Sequence, residues 1–149
     1  MIIVERTDPR HPQATALLEQ SHALMQSLFP PEDNYYLEIS ELVSPTIHFF
    51  TAREGDQILG TGALAEKDGY GEVKSMFVSE DARGQGVGDA ILRQLEDQAR
   101  ELGLPAMKLE TGNVLHAAHK LYARHGFTEC GVFGDYAKAN SSVFMEKAL

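Results

Sequence analysis

The chain has 149 residues, 43% of them hydrophobic and 23% charged, with a formal net charge of −9; this length holds one substantial core and excludes a nucleotide domain joined to a separate substrate domain. The acidic balance, with no basic stripe, excludes nonspecific nucleic-acid binding, and the lone Cys130 excludes an internal disulfide or a cysteine-built metal cluster. No apolar run approaches the ~18 residues of a membrane span, and the opening Met1-Ile2-Ile3-Val4-Glu5-Arg6 is charged too early for a signal peptide, so a cytoplasmic protein without membrane contact is expected.

Ile2 to Arg6 predicts a first strand. From His11 to Phe29 the residues Ala14, Leu17, Leu18, Leu24, Met25 and Leu28 share one helical face, and Pro30-Pro31 closes the helix. His22, beside that stripe, reads as structural or solvent-facing before it reads as a pocket residue. Glu32 to Val43 is a connector with room for a short helix, and it carries Tyr35 and Tyr36. Thr46 to Ala52 is β-branched and aromatic, Glu54-Gly55-Asp56 turns the chain, and Gln57 to Leu64 returns as a second strand. A further turn, Lys67-Asp68-Gly69-Tyr70-Gly71, leads into the strand Glu72 to Val78, so the first half is an antiparallel meander.

Ser79 to Asp89 follows that strand and contains Arg83-Gly84-Gln85-Gly86-Val87-Gly88. A helix from Ala90 to Leu102 comes next, with Ile91, Leu92, Leu95, Ala99 and Leu102 as its apolar stripe and Gly103 at its end. Strand, glycine-dense loop and helix N-terminus together form a phosphate cradle: backbone can approach the ligand, and the first amides of the helix lack internal partners. A P-loop requires Gly-Lys-Ser/Thr, whereas Gly88 is followed by Asp89 and Ala90. A dinucleotide fingerprint requires a third glycine where Asp89 stands and a first glycine directly after the strand; its one supporting feature is the acidic Glu110 at ribose spacing.

Met107 to Glu110 reads as a short strand parallel to the central one by a crossover. Thr111-Gly112-Asn113 opens a helix whose face shows Ala118, Leu121, Tyr122 and His125, capped by Gly126. Thr128 to Phe133 and Ser142 to Lys147 are the last two strands, and Gly134 to Asn140 between them is long enough to be a lip over a pocket. His116 and His119 stand three apart without a third ligand in a recognisable pattern, so no metal is expected. Cys130 reads as a small filler.

The pattern Arg-x-x-Gly-x-Gly, written here Arg83-Gly84-Gln85-Gly86-Val87-Gly88, resembles the acyl-CoA pyrophosphate loop of the GNAT superfamily of N-acetyltransferases. Upstream, Glu72-Val73-Lys74-Ser75-Met76-Phe77-Val78 resembles that family's fourth strand; downstream, Leu121-Tyr122-Ala123-Arg124-His125-Gly126-Phe127 resembles its Leu-Tyr-x-x-x-Gly-Phe segment. The resemblance covers about residues 58 to 147. It implies an α/β fold in which a mixed, mostly antiparallel sheet splays at the fourth strand, flanked by about four helices, with residues 1–149 forming one N-acetyltransferase domain.

It also implies an acyl-CoA-dependent N-acyltransferase that moves acetyl from acetyl-CoA to a small-molecule or peptide amine by direct attack in a ternary complex, without a metal. Arg83, Gly84, Gln85, Gly86, Val87 and Gly88 would hold the pyrophosphate, and the main chain of Met76, Phe77 and Val78 the pantetheine arm, with an oxyanion-binding amide near Val78 where the strand bulges. Tyr122 would be the acid to the CoA sulfur and Glu72 the base, with Glu110 a second, weaker candidate. Asn113 is placed as helix cap or cofactor contact, although the family's asparagine position is filled by Leu115. A dinucleotide-binding oxidoreductase and a non-catalytic CoA-binding sensor are the alternatives, and homodimerisation stays open.

Overall fold

The apolar run Ile58 to Ala65 has no polar alternation, the mark of a strand covered on both faces. In the computed structural model, which describes residues 1–149, it lies inside a seven-stranded sheet. The elements are β1 (Ile3–Arg6), α1 (Pro12–Leu28), α2 (Ile39–Leu42), β2 (Ile47–Glu54), β3 (Gln57–Lys67), β4 (Tyr70–Val78), α3 (Val87–Glu101), β5 (Ala106–Gly112), α4 (His116–Arg124), β6 (Thr128–Glu129) and β7 (Ser142–Ala148). The strand order is β1-β2-β3-β4-β5-β7-β6. Every pairing is antiparallel except β4 with β5. The doubly wound parallel sheet that a dinucleotide fold needs does not form.

Adjacent residues on a strand face opposite sides, and the two sides of this sheet have separate cores. Phe49 and Ala63 pack with Ala14, Leu18 and Leu42 from α1 and α2. Phe50 and Leu64 belong to the larger cluster with Val87, Ile91, Leu92, Leu95 and Ala99 of α3 and Tyr122 of α4. Helix α3 ends where Leu104 N–H reaches back to Ala99 O at 3.0 Å, the bond of a Schellman close. No helix is long and apolar enough to cross a membrane.

The sheet absorbs more of the chain than the turn residues predict: β3 runs to Lys67 and β4 starts at Tyr70. The last hairpin goes the other way, because β6 stops at Glu129 and Phe133 leaves the ladder to bury its ring edge-on against Tyr70 at 5.5 Å and Phe144 at 5.6 Å. Helix α4 opens at His116 rather than at Asn113, since Gly112 still pairs with Ser142 and Asn113 N–H donates to Ser141 O at 2.8 Å. The ladder therefore consumes the residues expected to start the helix.

Between Thr61 and Ala63 of β3 the register with β4 shifts, so that Ser75 and Met76 together oppose Gly62, and Ser75 takes φ 56°. That is a β-bulge. Gly62 permits it: a Cβ there would stand 2.4 Å from Ile91 Cγ2 and 2.8 Å from Met76 Sδ. Gly62→Ala is accordingly expected to cost about 1–3 kcal/mol by overpacking, measured as a lower urea midpoint at unchanged slope.

Candidate active site

Strand β4 meets β5 only through Gly71 with Met107 and Glu72 with Lys108. Past these pairs the strands diverge, while β5 stays bonded to β7 as far as Gly112. The bulge at Ser75–Met76 turns β4 away from its neighbour, and the opening lies just beyond it. Ser79 N–H donates to Leu59 O on the β3 side at 2.8 Å. By strand alternation the N–H of Val78 faces the other edge, toward the gap. The bulge itself lies nearer the start of β4 than the Val78 position expected from the sequence.

At the far end of the gap is the glycine loop. Gly84 and Gly86 have φ of 78° and 82°, conformations that residues with a Cβ rarely adopt, and a Cβ built on either meets no atom within 4 Å. The N–H groups of Gly84, Gln85, Gly86, Val87, Gly88 and Asp89 donate to no protein backbone oxygen; the first helical bond is Ala90 N–H to Gly86 O at 3.0 Å. These amides meet at the N-terminus of a helix of 15 residues, whose dipole adds to their preference for an anion. Arg83 is exposed beside them and pairs with no carboxylate. Gln85 turns its amide back to Asp81 O at 3.3 Å.

Asp89 would repel an anion here, but it is engaged. His125 Nε2 donates to it at 2.8 Å and Arg124 at 3.2 Å. The hydrogen bond from His125, joined by Arg124, holds the Asp89 carboxyl below its ordinary value against the opposing cost of burial.

From the loop a groove of about 740 Å³ runs along β4, walled by Met76, Phe77, Val78, Arg83, Gly86 and Leu121 among others. A smaller cavity of about 130 Å³ adjoins it, with Lys74, Ser75, Glu110, Asn34 and Tyr35 in its wall. Met76 and Tyr122 border both. The Tyr122 ring is 6% exposed and packs against Phe127 at 5.8 Å. Its hydroxyl has no protein partner and is not sealed off from the cavities. Burial first, and the Glu110 charge second, push its pKa well above that of an ordinary phenol.

Glu72 is 4% exposed and lies outside the walls of both cavities. Its carboxylate accepts a short hydrogen bond from the Tyr136 hydroxyl and sits 3.5 Å from Lys74 Nζ. Lys74 in turn donates to Tyr136 Oη at 2.8 Å and to Tyr35 O at 2.9 Å. The Glu72–Lys74 pair is thus a buried tie between β4, the connector after α1 and the lip before β7, and Lys74 borders the small cavity rather than the groove at the glycine loop. Glu110 projects from the diverging part of β5 into the small cavity, and burial raises its carboxyl above the usual value.

Asn113 is not brought to the site: it is exposed, borders neither cavity and caps no helix. His119 Nε2 is hydrogen-bonded to Gly112 O at 2.8 Å. His22 stacks on Tyr36 at 4.1 Å. The sequence reading missed Asn34 and Ser75, because a connector without periodicity and a strand that reads as regular give no signal for them.

The profile of the acetyltransferase (GNAT) family matches residues 14–127. The chain is 39% identical to an "IAA acetyltransferase" of Azospirillum brasilense over 99% of this chain and 98% of that one. It superposes on a solved Klebsiella pneumoniae structure assigned as an acyl-CoA N-acyltransferase with a TM-score of 0.84 and 30% identity, covering 100% of this chain and 98% of the other. A PaiA N-acetyltransferase from Thermoplasma acidophilum, solved in complex with coenzyme A, shares the fold with a TM-score of 0.76 at 13% identity, covering 100% and 99% of the two chains. With its splayed sheet, its glycine loop and these likenesses, the chain belongs to the GNAT acetyltransferase family and is an acyl-CoA-dependent N-acetyltransferase.

Proposed function

We propose that the chain works as one catalytic domain that takes acetyl from acetyl-CoA and passes it directly to an amine held beside it. The observation that carries this reading is the run of unpaired amides from Gly84 to Asp89 at the head of α3, opening onto a groove that ends at Tyr122. The residues fit the cofactor. Amides with no internal partner and the free Arg83 suit a diphosphate, and the open edge of β4 suits an extended amide-bearing arm. Acetyl-CoA supplies an activated thioester.

Glu110, rather than Glu72, is the proposed base: it faces the small cavity, and burial poises its carboxyl for proton abstraction nearer neutral pH. Glu72 holds Tyr136 and Lys74 in place. The Val78 amide is directed at the charge that develops on the carbonyl oxygen. Tyr122 stays protonated at every working pH and gives its hydrogen to the departing sulfur. The pantetheine arm is assigned to the main chain of Met76, Phe77 and Val78, and the pyrophosphate to Arg83, Gly84, Gln85, Gly86, Val87 and Gly88; exposed Asn113 receives no role.

A thiol-release assay with acetyl-CoA against a mixed amine library tests the reading. Turnover that requires both substrates is expected; tight CoA binding without transfer to any amine would identify a sensor instead. Tyr122→Phe is expected to lower kcat roughly 10–100-fold, at or below the bottom of the usual general-acid range of about 10²–10⁴, because a thiolate leaves readily. Calorimetry should find acetyl-CoA affinity near wild type, and equal loss of binding would count against the acid role.

A further inference from the structure

Resting on the transferase reading above, we infer that the acceptor is a small primary amine carrying a second hydrogen-bond donor, with no carboxylate or phosphate along its length. Four observations on the small cavity lead there. Its volume is about 130 Å³, and at ~10–15 Å³ of such space per water it takes a molecule of roughly ten non-hydrogen atoms. Its wall is braced by Ser141 Oγ donating to Asp33 Oδ2 at 2.8 Å and by Tyr35 packing against Tyr136 at 5.0 Å.

Lys74 is the single cation in the wall, and its ammonium is committed to Tyr35 O, Tyr136 Oη and the Glu72 carboxylate. No positive group is left to receive an anionic substituent, while the carboxyl groups of Asp33 and Glu110 line the space. Burying an unpaired carboxylate beside them costs more than the site can return.

The wall instead presents one unused amide acceptor and one unused hydroxyl. Asn34 Oδ1 and Ser75 Oγ are shut off from solvent and have no partner. Buried polar atoms normally have one, and a donor on the bound amine supplies it. Asn34 is oriented by Nδ2 reaching Phe29 O at 3.5 Å, which leaves the oxygen as the acceptor. The site therefore selects an ammonium at Glu110 and an N–H or O–H group at Asn34 or Ser75.

The test compares two molecules whose amines have nearly the same basicity, δ-aminovaleramide and δ-aminovalerate, with n-pentylamine as the chain lacking the second donor. The wild-type enzyme is expected to use the amide with a kcat/KM at least tenfold above the carboxylate and several-fold above the alkylamine. Asn34→Leu should bring the amide-to-alkylamine ratio toward one, a ratio that does not depend on how much of the variant folds. Equal or faster turnover of the carboxylate overturns the inference and leaves the transferase reading intact, as does an unchanged ratio in Asn34→Leu. Failure of all three amines while calorimetry shows acetyl-CoA bound overturns the acceptor class alone; failure together with no acetyl-CoA binding overturns both.

Discussion

Glu110→Gln is expected to lower kcat by roughly 10²–10⁴-fold, the usual worth of a positioned general base, with little change in acetyl-CoA affinity. In the wild-type protein the rate should climb with pH as the raised carboxyl of Glu110 loses its proton, and that limb should disappear in the variant. Stability should move in the opposite sense. Burial lifts the folded-state pKa above the unfolded one, so the folded protein binds the proton more tightly. The carboxyl's contribution is best below the unfolded value and declines as pH rises through the raised folded value. Glutamine removes that ionisation penalty, so the variant should lose activity without losing stability at neutral pH. A Glu72→Gln variant separates the two carboxylates: it cuts the tie to Tyr136 and Lys74 and should lower the melting temperature. A retained rise of rate with pH in Glu110→Gln, and its loss in Glu72→Gln, would hand the base role to Glu72.

Gly86→Glu should abolish measurable acetyl-CoA binding, a loss of at least about 100-fold, while leaving the fold in place. A Cβ at this residue meets no protein atom, so the direct cost is the strain of φ 82°, about 1–2 kcal/mol for a residue with a side chain. The loss of binding comes from the carboxylate now planted among amides and a helix terminus that favour an anion of their own. It is read by calorimetry with acetyl-CoA, with circular dichroism confirming the helical content. Gly86→Ala supplies the strain without the charge and should bind more weakly than wild type yet measurably. Equal effects of the two would locate the penalty in the backbone rather than in charge.

How far the sequence led depends on which physical rule governed each part. The α3 stripe and its glycine stop were legible because one helical face repeats at regular spacing, and the glycine loop because few backbone geometries demand so many glycines so close together. The return strand, read as Gln57 to Leu64, was likewise legible from the turn Glu54-Gly55-Asp56 that sets it off. Strand ends were less legible: Asp68 and Gly69 suffice for the turn, so residues read as loop entered the ladder.

Partnership between distant segments was not legible at all. Nothing in the order of residues says that Tyr136 from a late loop closes on Glu72, or that Asn34 from an early connector lines the same cavity as Ser75. Glu72 and Glu110 looked nearly alike in sequence because each ends or begins a short β-rich run. They differ only once β4 and β5 part company just beyond Glu72 and Lys108, leaving one carboxylate tied and the other open. Asn113 was misplaced as a cap for a related reason, since tertiary pairing with Ser141 overrode its local preference.

The parting of β4 from β5 also bears on how the enzyme endures heat and proteases. Across the middle of the sheet the ladder joins the two halves at only Gly71 with Met107 and Glu72 with Lys108. A thioester-bearing arm lying in that gap would act as a missing rib of the scaffold. Ligand present at a hundred times its dissociation constant adds about 2.7 kcal/mol, and the gain should appear first as slowed amide exchange along β5 and β7. A cell short of acetyl-CoA would then hold a less rugged enzyme, and its lifetime would follow the supply of the molecule it consumes.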